Sequence, residues 1–139
     1  MKRGIFPVLL LGALLAACVK EPAGFLIEGG NHSITVERNK AYFWSSGWEI
    51  DLIVTRYPEC QRRYPLKNSG ERLRVDLYRT DTGAYILNQG KRWYVAETSD
   101  CRMQQFDEKP PEPGELLGAF RAKNDIFQYV PAKKNDASE

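Results

Sequence analysis

The sequence has little of the chemistry that most active sites use. Its 139 residues include one histidine, three cysteines and two methionines. A zinc site or a catalytic triad needs a histidine held by partners, and His32 follows a glycine pair and an asparagine in a predicted turn. No GxSxG motif, CxxC pair or histidine cluster accompanies it. The sequence therefore predicts no catalytic residue, no metal ligand and no cofactor, and we expect a protein that is not an enzyme.

Paired carboxylates would be another route to catalysis. Four acidic residues in or near predicted strands could place two carboxyl groups at the separation that glycosidases use, roughly 5 to 10 Å: Asp76, Asp81, Glu97 and Asp100. Asp76 falls on the same strand face as Arg72 and Arg74, where ion pairing is the ordinary explanation for an acidic residue. An enzyme acting on glycans or peptidoglycan remains the second alternative function.

The chain also lacks an apolar run of the roughly 20 residues that a permanent membrane-spanning helix needs. Its apolar segment, residues 5–15, follows Lys2 and Arg3 and leads into two alanines before Cys18. A charged start, a short apolar stretch and a small-residue end are typical of a cleaved signal peptide. We therefore exclude residues 1–17 from the fold.

The end of this segment, Leu15-Ala16-Ala17-Cys18, resembles the lipobox of bacterial lipoproteins. The resemblance implies that Cys18 receives a diacylglycerol and fatty acids such as palmitate, and becomes the mature N-terminus. Val19 follows, where an aspartate would favour the inner membrane, so the resemblance implies an outer-membrane protein that faces the periplasm. We expect residues 18–24 to form a short tether. Each buried methylene of the acyl chains contributes about 0.8 kcal/mol to anchoring.

The mature chain has no excess of charge of either sign. Without Lys2 and Arg3, the 20 basic residues of the whole chain fall to the same number as the 18 acidic ones. A strongly basic protein would suggest nucleic acid as a partner, and this balance removes that argument. The length suits one domain.

Cys60 and Cys101 are the two thiols that remain when Cys18 is lipidated. In an oxidising periplasm they are most simply a disulfide. Closing a loop of about forty residues should stabilise the fold by about 3 to 4 kcal/mol. A reactive thiol or half of a metal site are the competing interpretations.

Apolar residues alternate along the mature chain instead of recurring at helical spacing. Trp48, Ile50, Leu52 and Val54 fall on one strand face, and glycine-containing turns separate the later strands. Residues 72–96 are predicted to form a β-meander, and hairpin turns are predicted at residues 28–31 and 123–125. Residues 59–70 and 107–114 lack a period and are predicted to be surface loops.

The fold class is therefore all-β: a small antiparallel β-barrel or sandwich of about seven strands with one disulfide. The predicted β domain covers residues 25–130. Residues 131–139 are polar and are predicted to form a disordered tail.

Two local compositions favour binding. The first is the aromatic run of residues 42–48, which as a strand would place alternate rings on opposite faces, either in the core or on a binding surface. The second is a segment from Arg56 to Arg79 in which seven basic residues outnumber three acidic ones. It is either a patch that binds lipopolysaccharide phosphates, anionic lipid headgroups or an acidic partner, or a solvated face of ion pairs. The candidate binding surface comprises Tyr42, Trp44, Trp48, Arg62, Arg63, Tyr64, Arg72 and Arg74.

These observations favour a non-catalytic binding or assembly module of the cell envelope. The expected partners are the membrane, through Cys18, and another envelope protein, lipopolysaccharide or a glycan. The alternative is an envelope inhibitor of lysozyme, because Thr82-Gly83-Ala84-Tyr85 resembles the SGxxY loop of the membrane-bound lysozyme inhibitor family, with threonine in place of serine.

Overall fold

The computed structural model describes residues 18–133. The predicted signal peptide, residues 1–17, and residues 134–139 of the predicted tail lie outside the described residues. Within residues 18–133 the fold is all-β, with no helix. Ten strands follow one another: β1 Val19–Leu26, β2 His32–Lys40, β3 Glu49–Arg56, β4 Cys60–Pro65, β5 Arg74–Arg79, β6 Tyr85–Gln89, β7 Arg92–Glu97, β8 Arg102–Phe106, β9 Glu115–Lys123 and β10 Ile126–Pro131.

The strands form two antiparallel sheets, as in a β-sandwich. Sheet 1 has the order β1-β2-β3-β4, and sheet 2 has the order β10-β9-β5-β6-β7-β8. Of the two architectures predicted, the sandwich is therefore the one found, because no closed barrel forms in residues 18–133. The strand number is higher than the predicted seven.

The predicted turns join the strands that flank them. Phe25 pairs with Ile34 across the first hairpin, and β5, β6 and β7 form the predicted meander. β9 and β10 pair across a tight turn in which Asn124 and Asp125 both have positive φ, of 53° and 63°. Asparagine and aspartate tolerate this conformation better than other residues with a side chain, which explains the sharp reversal.

The core lies between the sheets and follows the period-two pattern. Ile50, Leu52 and Val54 of β3 are buried, while the residues between them are partly exposed. From sheet 2, Val75 and Leu77 of β5 and Phe120 of β9 are fully buried in the same cluster.

The predicted disulfide is present. The Cα atoms of Cys60 and Cys101 lie 6.0 Å apart, and the bond joins the start of β4 in sheet 1 to the turn before β8 in sheet 2. Close by, Tyr64 donates a hydrogen bond to the carbonyl oxygen of Cys101 at 2.5 Å. The two sheets are thus connected covalently and by a hydrogen bond at one end of the sandwich.

Three segments differ from their predictions. Most of the expected tether, residues 18–24, belongs to β1, because its backbone pairs with β2 from Val19 onward and Ala23 is buried. Residues 60–65, expected to be a loop, form β4, an edge strand with mostly exposed side chains and hence no apolar alternation. The aromatic residues 42–44, expected to be a strand, form a turn between β2 and β3.

The sandwich has two distinct ends. One, which we call the Cys18 end, carries Cys18, the 41–47 turn and the β6–β7 turn. There, backbone hydrogen bonds between Trp48 and Ser69 join the β2–β3 connection to the β4–β5 connection. The other, which we call the disulfide end, carries Cys60, Cys101 and the β5–β6 turn.

Candidate functional site

A groove of about 810 Å³ lies at the Cys18 end, between the loop that precedes β5 and the β6–β7 hairpin. Residues 67–70 of the loop and residues 88–90 of the hairpin line it, and we call these two segments its walls; Leu73 and Asp76 also line the groove. Basic side chains dominate the lining: Lys67, Arg72, Arg74, Lys91 and Arg92. Asp76 is the carboxylate among the lining residues, so the groove has a strong positive excess.

Hydrogen bonds hold the two walls in place. Gln89 donates from Nε2 to the carbonyl oxygen of Lys67 at 2.7 Å, which ties the hairpin to the opposite loop. Asn88 donates from Nδ2 to the carbonyl oxygens of Gly90 at 2.9 Å and Arg92 at 3.1 Å, which fixes the turn. Gly90 has a φ of 60°, which a glycine adopts without strain. The two walls are therefore held by amide side chains and backbone carbonyl groups, and none of these hydrogen bonds uses a lysine or arginine side chain.

Charge within the groove is only partly neutralised. Arg74 donates from Nε to Asp76 Oδ1 at 2.9 Å, so these two charges offset each other. Lys67, Arg72 and Lys91 are exposed. Their ammonium and guanidinium groups offer several N–H donors to one space, an arrangement that suits a phosphate or a carboxylate.

An exposed aromatic cluster lies in the 41–47 turn at the same end. The rings of Tyr42 and Trp44 stack with centroids 4.8 Å apart, and Phe43 meets Trp44 edge to face at 4.7 Å. Their exposed fractions are 45% for Tyr42, 65% for Phe43 and 59% for Trp44. We call these three residues the aromatic loop. The three side chains pack on one another, and their exposed area is available for contact with another surface.

Trp48, another residue of the candidate surface, directly follows this turn, is buried and does not contribute to an exposed surface. Lys40 lies over its ring, with Nζ 4.3 Å from the ring centre, and also forms an ion pair with Glu71 at 2.7 Å. The hydrogen bond from Lys40 holds the pKa of Glu71 below its usual value. Trp48 therefore positions the charged groups next to the aromatic loop.

Three further residues of the candidate surface lie on β4, away from the groove. Arg63 forms ion pairs with Glu37 and Asp51, each at 2.9 Å, and these hydrogen bonds, first the one to Glu37, raise its pKa above the usual value. Arg62 precedes it on the strand and is exposed. Because successive side chains of a strand alternate, Arg62 points to the opposite face from Arg63. Tyr64 is the hydrogen-bond donor to Cys101 described above. The predicted surface is thus divided between β4 and the Cys18 end.

Three of the five groups considered for catalysis have structural partners, and the other two, Asp81 and Glu97, are exposed. His32 opens β2, half-buried, with Nε2 2.8 Å from Thr98 Oγ1, whereas the sequence places it in a turn. Asp76 and Asp100 are paired with Arg74 and Arg102. No group of three metal-ligating side chains occurs in the part of the chain that the structure describes.

The segment that resembles a lysozyme-inhibitor loop lies at the disulfide end. Thr82 and Gly83 form the exposed β5–β6 turn and line a small recess with Arg56 and Glu97. Tyr85 is 4% exposed and packs edge to face against Phe25, with centroids 6.0 Å apart. Its ring is therefore a core group and is not presented to a partner.

Several residues of the Cys18 end were not predicted from the sequence. Lys67, Lys91, Arg92 and Phe43 were not among the candidates, although they join Arg72, Arg74 and the aromatic pair there. A usable signal existed, because the predicted Asn88-Gln89-Gly90-Lys91 turn carries a basic residue at its tip. What the sequence does not reveal is that this turn faces the loop before β5.

The chain matches no protein-family model, no curated protein and no solved structure. Among residues 18–133 there is also no helix of the length and apolarity that would allow it to cross a membrane.

Proposed function

We propose that the protein is a lipid-anchored lipoprotein of the outer membrane, facing the periplasm, and that it acts as a non-catalytic binding module of the cell envelope. Its ligand is a phosphate-bearing amphiphile of the envelope, bound in the basic groove at the Cys18 end. The observation that carries this proposal is the convergence of five basic side chains with one carboxylate in a groove of about 810 Å³.

The chemistry of the groove supports a phosphate more than a neutral sugar. Arginine and lysine donate charge-assisted hydrogen bonds to phosphate oxygens, each contributing about 1.5 to 3 kcal/mol. Arg72, from the loop before β5, and Lys91, from the β6–β7 turn, both line the groove, so one phosphate, or two neighbouring phosphates, can receive donors from both segments. Lipopolysaccharide and phospholipid headgroups share this chemistry.

The placement of the groove supports an envelope ligand. Cys18, the proposed lipidation site, directly precedes β1 at the same end of the sandwich. Lipid headgroups would therefore be the anions nearest to the groove of an anchored protein. The near-neutral charge of the mature chain argues that the positive field is local and serves this site.

Charge reversal tests the proposal. Arg72→Glu in the lipidated protein, purified in a nonionic detergent, is expected to weaken binding of lipopolysaccharide or phosphatidylglycerol by about tenfold or more, the worth of one charge-assisted hydrogen bond. Arg79→Glu is the matched control, because Arg79 is an exposed arginine at the other end of β5. Titration with each amphiphile separately shows which source of phosphate the groove prefers.

The outcomes separate clearly. A loss confined to Arg72→Glu that grows smaller at high salt supports the groove as the site. Equal affinity in the native protein and both variants, or no binding of either amphiphile, overturns the proposal. A purified protein whose Cys18 carries no acyl chain in mass spectrometry overturns the anchor.

A further inference from the structure

We propose that the aromatic loop, Tyr42, Phe43 and Trp44, inserts into the headgroup region of the lipid bilayer and holds the domain in one orientation on the membrane. The inference rests on the lipid anchor of the proposed function and adds a second, protein-borne membrane contact to it. Chain connectivity, exposure and charge favour a phospholipid surface as the partner of the aromatic loop.

Chain connectivity places the loop beside the anchor. Val19 pairs with Lys40, and Cys18 and Ala41 are the next residues on the two strands. Continuing that register by one residue sets Cys18 opposite Ala41, about 5 Å away across neighbouring strands. Tyr42 comes immediately after Ala41. A cysteine held in the headgroup region by its acyl chains therefore brings the aromatic loop to the bilayer surface, because no spacer separates β1 from Cys18.

The exposed residues have the chemistry of the membrane interface. Tyrosine and tryptophan concentrate at the headgroup level, where the ring is shielded from water and the polar atom remains hydrated. In the aromatic loop each of the three rings is 45% exposed or more, and they contact one another. Exposing three neighbouring aromatic rings to water is unfavourable, and burial in the interface removes that cost.

Charge at the Cys18 end complements a bilayer with anionic lipids. Lys20, the second residue after Cys18, is exposed, and so are Lys67 and Lys91. Lysine side chains near an interface reach the phosphates while their methylenes cover apolar surface. Basic residues close to an anionic membrane surface are attracted to it. These three exposed lysines belong to the same end of the sandwich as the aromatic loop.

Tryptophan fluorescence can test this contact directly, because the three tryptophans differ in exposure. Trp44 is 59% exposed, whereas Trp48 and Trp93 are 5% and 9% exposed. The lipidated protein would be reconstituted into vesicles of phosphatidylethanolamine and phosphatidylglycerol whose acyl chains carry bromine close to the headgroup. We expect the brominated lipid to quench most of the emission that Trp44 contributes, which is the difference between native protein and Trp44→Phe.

A displaced tryptophan provides the control for orientation. Leu26→Trp, made together with Trp44→Phe, places an exposed tryptophan at the disulfide end of β1, where Leu26 is 60% exposed. We expect brominated lipid to leave this emission unchanged and aqueous acrylamide to quench it.

Each alternative has its own signature. Quenching of Trp44 by acrylamide alone shows a loop in water, and shielding of Trp44 from both quenchers shows a loop covered by protein, such as a second copy; either result overturns the inference. Quenching of both positions by brominated lipid shows adsorption without orientation and also overturns it. Failure of the anchor is separate, since an unacylated Cys18 is detected by mass spectrometry before reconstitution.

Discussion

The guanidinium group of Arg38 lies over the indole ring of Trp48, with its central carbon 4.3 Å from the ring centre. Phe127 of sheet 2 lies close by, with its ring centre 4.8 Å from the same carbon. Arg38 is 5% exposed and forms an ion pair with Glu21 of β1. A buried cation is stable only when it is paired. Arg38 therefore links β1, Trp48 just before β3, and β10 near the Cys18 end.

Removing the partner of Arg38 tests this link. Glu21→Ala is expected to lower the free energy of unfolding by about 1 to 3 kcal/mol, because the guanidinium stays buried without its carboxylate. Urea unfolding measures the change. Glu28→Ala is the matched control, since Glu28 is exposed just beyond the other end of β1. Equal stability of the two variants would show that Arg38 does not depend on Glu21.

Two phenylalanines differ sharply in burial, so truncating each should affect stability differently. Phe120 of β9 is fully buried between the sheets, whereas Phe43 is 65% exposed. Phe120→Ala is expected to cost about 3 to 5 kcal/mol through lost burial and a cavity. Phe43→Ala in detergent solution should change stability by no more than about 0.5 kcal/mol. Urea unfolding of both variants provides the comparison, and a comparable loss in each would contradict the placement of Phe43 outside the core.

A glycine in β9 is required by close packing. A Cβ atom on Gly118 would lie 2.4 Å from the carbonyl oxygen of Val130 and 2.6 Å from Tyr129 Oη. Gly118→Ala is therefore expected to cost about 1 to 3 kcal/mol, because the backbone of β10 has to shift. Gly70→Ala is the control, since a Cβ there meets no atom within 4 Å. A thermal melt of Gly118→Ala that overlays the native curve would refute this packing.

Loss of the disulfide should destabilise the protein strongly. Cys60 and Cys101 are 41 residues apart in sequence, and opening this loop is expected to cost about 3 to 4 kcal/mol through the entropy of the unfolded chain. Cys60→Ala combined with Cys101→Ala can be compared with native protein in guanidinium unfolding, with and without a reducing agent. Reduced native protein should match the double variant. If the double variant and the reduced native protein both unfolded at the same guanidinium concentration as the oxidised native protein, the disulfide would have no stabilising role.

Stability should also fall at alkaline pH. Burial raises the pKa of Tyr78, Tyr85, Tyr94 and Tyr129 above the ordinary value of 10.0. The neutral form is favoured in the folded state, so this stabilisation is complete below pH 10 and is lost as pH rises from there through the folded pKa values, because the unfolded chain ionises first. Melting temperatures between about pH 8 and pH 12 measure it. Constant stability across this range would contradict the burial of the hydroxyl groups.

Most of sheet 2 and the β1–β2 hairpin of sheet 1 could be predicted from the sequence. One face of each of these strands is buried, so apolar and polar residues alternate along it. The edge strands β4 and β8 were not recognised. Their side chains are largely exposed, so no buried face leaves a pattern in the sequence. The strand at residues 19–24 was missed for another reason: its apolar contribution is limited to Ala23 and Val19, and the Glu21–Arg38 pair that helps hold it is formed across the sheet.

The candidate site was only partly predictable. Arg72 and Arg74 were selected from local charge and do line the groove, but Lys91 and Arg92 come from a hairpin about twenty residues later. Composition shows how many charges a segment contains and does not show which segments meet. Likewise, the aromatic run signalled an unusual surface, whereas its division into an exposed loop and a buried Trp48 depends on the turn that follows β2.

The start of β1 at Val19, one residue after Cys18, sets how far an anchored protein can reach. The nine-residue strand β2 gives sheet 1 a length of about 30 Å along its strands, with a rise of about 3.3 Å for each residue. The disulfide end would stand at about that height above the bilayer. A flexible tether of seven residues would let the domain sweep a wider zone, whereas a domain joined directly to its lipid samples only a shallow layer. For a protein anchored at Cys18, a partner that binds the disulfide end would therefore have to approach the membrane itself.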